Sequence, residues 1–201
     1  ENLEWVWGYR ETDQLGGHDP YSASKAAAEI IFSSYSRSFF DSRSNFGAAS
    51  VRAGNVIGGG DWAADRIMPD AMRALAAGIP IEVRNPLATR PWQHVLEPLS
   101  GYLLLAERLQ NETNLENRFA DAFNFGPNLE ANRTVQDLVV EMIKHWRGIW
   151  RDISDPHALH EAGRLHLQID KAHHQLGWNP RWDFKTTVKR TVDWYKAVNY
   201  G

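Results

Sequence analysis

The run Asp19-Pro20-Tyr21-Ser22-Ala23-Ser24-Lys25-Ala26-Ala27-Ala28 constrains this chain more than any other stretch, because it reads as the start of a helix. Asp19 offers a carboxylate to the free N–H groups of the first turn, Pro20 has the φ that suits the first helical position, and the alanines lose no side-chain entropy. The periodicity predicts a helix from Pro20 to about Phe40, with Ala27, Ile30, Ile31, Tyr35 and Phe39 at helical spacing. Asp41 to Asn45 breaks it. Ala48 to Ile57 then reads as one buried strand, ended by Gly58-Gly59-Gly60-Asp61, which reads as a flexible crossover. A helix followed by a buried strand points to an α/β unit.

The rest of the chain continues in short alternating elements. Residues 1 to 18, with Gly8, Gly16 and Gly17, read as a loop suited to a pocket wall. Arg66 to Leu75 reads as a helix with Gly78 just past its end, Ile81 to Arg84 as a short strand, and Asn85-Pro86 as a turn. A longer helix over Leu96 to Leu109 opens with Glu97 and Pro98, and its spacing puts Leu99, Tyr102, Leu103 and Ala106 on one face. Ala122 to Phe125 reads as a strand, and Thr134 as the cap of a helix running through Leu138, Val139, Met142 and Trp146. A short helix after Asp170 stops at Gly177, and a closing helix runs through Val188, Val192 and Tyr195.

Composition narrows the function. The 201 residues are 43% hydrophobic, enough to bury a real core. A formal net charge of −3 and the lack of a Lys/Arg block argue against a nucleic-acid partner. The chain has no cysteine, which removes disulfides, thiolate metal sites and a Cys nucleophile, and fits a reducing, cytoplasmic setting. No apolar run approaches the length of a membrane span. The chain opens at Glu1 without a Met and reaches Trp5-Val6-Trp7-Gly8-Tyr9 at once, a pattern expected inside a larger protein.

Tyr21 and Lys25 lie one helical turn apart on one face, and a phenol beside a fixed ammonium is a candidate general base. Bringing a phenol from about 10 to near 7 takes roughly 4 kcal/mol, which one cation about 4.5 Å away supplies at an effective dielectric near 20. The same spacing also suits a solvated helix face. No G-x-G-x-x-G or Walker pattern is present, so the residues hold at most part of a dinucleotide site. His157, His160, His166, His173 and His174 crowd one region, but His160-Glu161 is followed by Arg164 where a second helical ligand would stand, which argues against a metal. His160 remains a polar group for a ligand or for the surface. Arg66, Arg84 and Arg90 flank short strands and turns, where guanidinium forks suit a diphosphate or a surface ion pair. Asn55 closes the first strand, where ligand sites of open parallel sheets fall; it can also simply cap a turn.

Together these residues resemble the extended short-chain dehydrogenase/reductase family, and within it the nucleotide-sugar 4,6-dehydratases. Pro20-Tyr21-Ser22-Ala23-Ser24-Lys25 is similar to the family's P-Y-x-x-S-K, and Arg52-Ala53-Gly54-Asn55-Val56-Ile57-Gly58 to its strand and following Asn. Phe123-Asn124-Phe125-Gly126 and Leu176-Gly177-Trp178-Asn179-Pro180 resemble two later landmarks in the family's order. Trp5 to Glu11, Gly58-Gly59-Gly60-Asp61-Trp62 and Thr89 to Tyr102 look like the branch that acts on CDP-sugars.

The resemblance implies an NAD-binding Rossmann fold with a parallel sheet, interlocked with a smaller α/β substrate domain. It implies residues 1–56 and 95–128 in the Rossmann part, and 57–94 and 129–201 around the nucleotide sugar. On this likeness Tyr21 takes the proton from the sugar 4-hydroxyl as its hydride passes to NAD, and Lys25 holds the nicotinamide ribose. Water then leaves from C6 and the hydride returns there. Asn55, Arg66, Arg84, Arg90 and His160 are implied contacts to the sugar diphosphate and base, with Tyr21, Lys25 and Asn55 touching the cofactor. A homodimer through the Tyr21 helix is implied as well. The family's glycine fingerprint and its dehydration acid and base are expected upstream of Glu1, so the chain alone is expected to be inactive. Gln168 stands where a family Asp is common, and Arg164 where an aromatic is expected. An epimerase, another sugar dehydratase or a nucleotide-sugar-binding module without catalysis are the competing readings.

Overall fold

The computed structural model describes residues 3, 5–17, 19–40, 47–111, 118–155 and 163–200. His157, His160 and Glu161 lie outside them. The first helix, α1, spans Pro20–Tyr35 and continues as a single π-type turn over Ser36–Phe40. The single strand expected over 48–57 is two: β1, Ser50–Ala53, and β2, Val56–Ile57, belong to different sheets. The break falls where Gly54 lies against Pro91; a Cβ there would come within 2.7 Å of the ring. Nor is the strand buried throughout, since Val51 and Val56 are exposed.

Helix α2 covers Ile67–Ala77 and ends at Gly78 with φ 68°, the left-handed state that glycine adopts without strain. Strand β3 is Ile81–Val83, and β4, Thr89–Pro91, and β5, Gln93–His94, lie in the stretch before α3, Leu96–Asn111. Strand β6, Ala122–Phe125, and β7, Asn132–Thr134, lead into α4, Val135–His145, which a reciprocal Thr134–Asp137 capping box starts. Strand β8, Trp150–Asp152, a π-type turn over Ala172–Leu176, and α5, Phe184–Tyr200, complete the chain. The pairs β1–β6, β2–β5 and β3–β8 are parallel and β4–β7 is antiparallel. Parallel strands need crossovers, and the helices supply them.

Two apolar clusters hold the fold. One joins α2, β3, α4 and α5 through Met72, Ile81, Leu138, Val139, Met142, Val188, Val192 and Tyr195, all almost fully buried. The other packs Phe123 and Phe125 of β6 against Leu105, Ala172, Leu176 and Trp178. The face of α3 that meets it differs from the expected one: Pro98, Gly101 and Leu105 are buried, while Leu99, Leu103 and Ala106 face solvent. Gly101 sets this face, because a Cβ there would lie 2.3 Å from the Phe125 ring. The helix is then clamped by the 178–182 turn, where the buried Glu97 carboxylate accepts from the N–H groups of Arg181 at 2.8 Å and Trp182 at 3.1 Å.

Candidate functional site

The start of α1 is built as its sequence dictates. Asp19 accepts from the Ser22 N–H at 2.9 Å and from the Ser22 hydroxyl at 2.6 Å, and these bonds hold its carboxyl below the usual carboxylate range. Tyr21 and Lys25 stand on the first turns with Tyr21 exposed and Lys25 Nζ 5.6 Å from the centroid of its ring. The ammonium faces the π cloud, a cation–π contact that also keeps positive charge beside the phenol. Glu29, one turn further on, fixes the helix to β1: Arg52 donates to it from Nε at 2.7 Å and Nη2 at 3.1 Å, and Ser50 Oγ at 2.9 Å. The Arg52 fork is the main reason that the Glu29 carboxyl sits below its ordinary range. Because α1 leads back into β1, its N-terminus lies toward the C-terminal ends of the parallel strands, the side where such sheets bind ligands.

Those strand ends are knitted by Gln93, which sequence reasoning did not single out. Its N–H donates to the Asn55 carbonyl at 3.0 Å and its side-chain amide to the Phe125 carbonyl at 2.9 Å. Gln93 thereby ties β5 to the ends of β1 and β6, and its buried Oε1 has no hydrogen-bond partner among the described residues. Asn55 itself is half-buried at the bend between β1 and β2.

The loop between β2 and α2 gathers the arginines. Arg66 begins α2 without a side-chain cap and donates to Asp61 Oδ2 at 3.1 Å; Arg84, just past β3, donates to Asp65 Oδ1 at 2.6 Å. Asp65 has φ 61°, a left-handed conformation. The loop is pinned by the Tyr195 hydroxyl, which donates to the Asp61 carbonyl at 2.5 Å, and by Arg73, which donates to the carbonyls of Trp62 at 3.0 Å and Ala63 at 3.3 Å. The expected flexible crossover is therefore a packed one. Gly59 lies flat on Trp194, where any Cβ would fall 2.1 Å from the indole. Arg66 and Arg84 thus both pair with carboxylates of one loop, whereas Arg90 is buried in β4 with Nη1 donating to the Thr89 carbonyl at 2.9 Å. His160, the remaining expected contact, falls outside the described residues. His173 is hydrogen-bonded to Asn179 at 2.7 Å and lies against His174. Among the described residues no group of three His, Asp or Glu side chains is placed to hold a metal ion, and no helix is long and apolar enough to cross a membrane.

Comparison with known proteins places this geometry. The family model of GDP-mannose 4,6 dehydratase matches residues 6–191. A CDP-glucose 4,6-dehydratase of Salmonella typhimurium is 48% identical over 98% of this chain and 55% of its own length. A dTDP-glucose 4,6-dehydratase of Streptomyces antibioticus is 27% identical over 92% of this chain and 51% of its own. The chain spans about half the length of the curated relatives it matches. Among solved structures, the dTDP-glucose 4,6-dehydratase of Bacillus anthracis in complex with NAD superposes with a TM-score of 0.75 at 19% identity, covering 96% of this chain and 57% of that one. The UDP-glucose 4-epimerase of Thermotoga maritima with UDP-glucose gives 0.79 at 19%, covering 98% and 60%. These likenesses establish the α/β fold of the Rossmann-type dehydratases and epimerases.

Proposed function

Because this chain belongs to the GDP-mannose 4,6 dehydratase family, we propose that it is the substrate-binding and proton-handling part of an NAD-dependent nucleotide-sugar 4,6-dehydratase, acting on CDP-glucose. The choice of sugar nucleotide rests on the 48% identity to the Salmonella enzyme, against 27% to the dTDP-glucose enzyme of Streptomyces. In this reading residues 1–56 and 95–128 serve the cofactor and 57–94 and 129–201 the nucleotide sugar; the two separate apolar clusters support the division, although Ala172, Leu176 and Trp178 pack with Phe123 and Phe125.

Tyr21 takes the proton from the sugar 4-hydroxyl. Its exposure leaves the phenol open to a sugar, and Lys25, one turn away, places a positive charge 5.6 Å from the ring centroid. The Asp19 cap and the Glu29–Arg52 fork hold the turn that carries both. The residues fit the nicotinamide-ribose end of NAD: the ammonium of Lys25 is a donor for ribose hydroxyls, and the Asn55 amide faces no partner among the described residues. When bound, NAD would accept the hydride from C4 and, after loss of water, give it back to C6. The 4-ketone then acidifies the neighbouring C5–H, so that water can leave from C6. Arg66 and Arg84 hold the diphosphate, with Arg90 and His160 completing the nucleotide contacts. The protein works in the cytoplasm as a homodimer joined through α1 and the turn that continues it, whose exposed Ile30, Ile31, Tyr35 and Phe39 favour a partner surface.

The carrying observation is the Tyr21–Lys25 turn, presented to solvent from a capped helix. Its test is a chimaera that joins the N-terminal portion of the Salmonella enzyme to this chain. The chimaera should convert CDP-glucose to the 4-keto-6-deoxy product, and its Tyr21→Phe variant should lose about 100-fold or more in turnover while binding CDP unchanged. Undiminished turnover in that variant removes Tyr21 from the reaction. The 201-residue chain by itself should be inactive with added NAD, and product formation would refute that part.

A further inference from the structure

The two arginines read as diphosphate ligands are already occupied. Arg66 holds Asp61 and Arg84 holds Asp65, both carboxylates lying within the short loop between β2 and α2. We propose that Asp65 and Asp61 are resident competitors for the ligand's diphosphate, so that binding is an exchange in which phosphate oxygens displace two carboxylates from two guanidiniums. The inference rests on the reading of Arg66 and Arg84 given above.

Three observations carry it. First, both pairs are open to water: the side chains of Arg84 and Asp65 are 66% and 79% exposed, and those of Arg66 and Asp61 are 67% and 37% exposed. Exposed pairs are weak, and a diphosphate brings more charge and more acceptor oxygens to a guanidinium fork than one carboxylate does. Second, Asp65 reaches Arg84 from a left-handed backbone, and it is the one non-glycine residue with positive φ among those described. Such conformations gather where a segment is poised to act. Third, the neighbouring positions are fixed, by Tyr195 at the Asp61 carbonyl and by Arg73 at the Trp62 and Ala63 carbonyls. Losing the two carboxylate contacts therefore leaves the loop anchored, and the exchange does not require it to unfold.

A tether and a competitor predict opposite signs. If the Asp65–Arg84 pair only ties the loop down, removing the carboxylate weakens ligand binding; if Asp65 competes, removal strengthens it. Asp65→Asn is the clean variant, because Asn tolerates the left-handed backbone while losing the charge. Titration of the chain with cytidine 5′-diphosphate by calorimetry at 0.15 M salt should give an affinity about two- to five-fold tighter for Asp65→Asn, the range set by releasing one exposed ion pair. Adding Asp61→Asn should multiply the gain by a similar factor. Asp193→Asn, which removes the same charge from the Lys189 pair on α5, should leave the affinity unchanged. Arg84→Ala should weaken it about ten-fold. If Arg84→Ala weakens binding while Asp65→Asn is neutral or weaker, the competitor role is wrong and the arginine assignment stands. If CDP does not bind, or Arg84→Ala and Arg66→Ala both bind like the original chain, the site reading fails and this inference with it.

Discussion

Helices α1 and α5 are nearly equal in length, 16 and 17 residues, and are attached to the molecule by opposite means. In α5 the apolar residues fall on one stripe: Val188, Val192 and Tyr195 are almost fully buried against α4 and α2. In α1 no residue is buried. Its half-buried side runs through Ser22, Ala26, Glu29 and Phe32, and the Glu29 carboxylate makes the ion pair to Arg52. Ile30, Ile31 and Tyr35 point elsewhere and are more than half exposed. A helix held by burial is part of the core, whereas a helix held by one charged fork can be carried precisely at low cost and still present its outer side.

Placing the same charge on each helix separates the two modes of attachment. Val192→Asp should cost about 3–5 kcal/mol, because it buries a carboxylate with no partner in a site closed to water. Urea melts would report this as a loss of most of the chain's stability. A cost near 1 kcal/mol would mean that α5 is not part of the core.

The next largest effect concerns the fork. Glu29→Ala removes the acceptors of Arg52 and Ser50 and should cost about 1.5–3 kcal/mol, confined to α1. Hydrogen exchange should then rise in α1 while α4 and α5 keep their protection. The pH dependence follows from the same bond. The folded-state pKa of Glu29 is lowered, so its contribution is fully present above the unfolded value of about 4.3 and is lost as pH falls through the folded value. Histidine 94, packed edge-on against Trp182 just before α5, behaves differently. Its Nδ1 accepts from the Leu96 N–H at 3.2 Å, and burial lowers its pKa, so the native state favours the neutral ring. Its contribution is present above about 6.5 and fades as pH falls through the lower folded value. Mild acid should therefore loosen the α5 anchor before it loosens α1. Thermal melts between pH 7 and 5.5 should fall in midpoint, and His94→Gln should remove part of that slope.

The difference between the helices also governs what could be read in advance. The α5 stripe is local, with apolar residues recurring at one spacing, and so is the Asp19 cap that presents Tyr21 and Lys25. Strands β4, β5, β7 and β8 went unread because each is two or three residues long and exists only through a distant partner, as Trp150 pairs with Ile81. The face of α3 differs from the expected one for the same reason: Gly101 carries no apolar signal, yet it lies against Phe125. The run Gly58 to Gly60 reads as a flexible crossover because nothing local to it shows that Trp194 lies against Gly59. The arginines were legible by residue type, but their carboxylates were not, since Asp65 acquires its role only where β3 delivers Arg84.

The smallest expected effect on the isolated fold is the most informative about α1. Ile31 is 59% exposed, so Ile31→Asp should shift monomer stability by no more than about 0.5 kcal/mol. If the proposed dimer forms through α1, the same change places a carboxylate in a surface that the second copy must desolvate, and the cost moves from folding to association. Light scattering over a concentration series should then find a dimer for the original chain and a monomer for Ile31→Asp, with superimposable urea melts at the lowest concentration. A variant that stays dimeric removes α1 from the interface. A variant that loses several kcal/mol as a monomer shows instead that the outer side of α1 is core, and the contrast with α5 disappears.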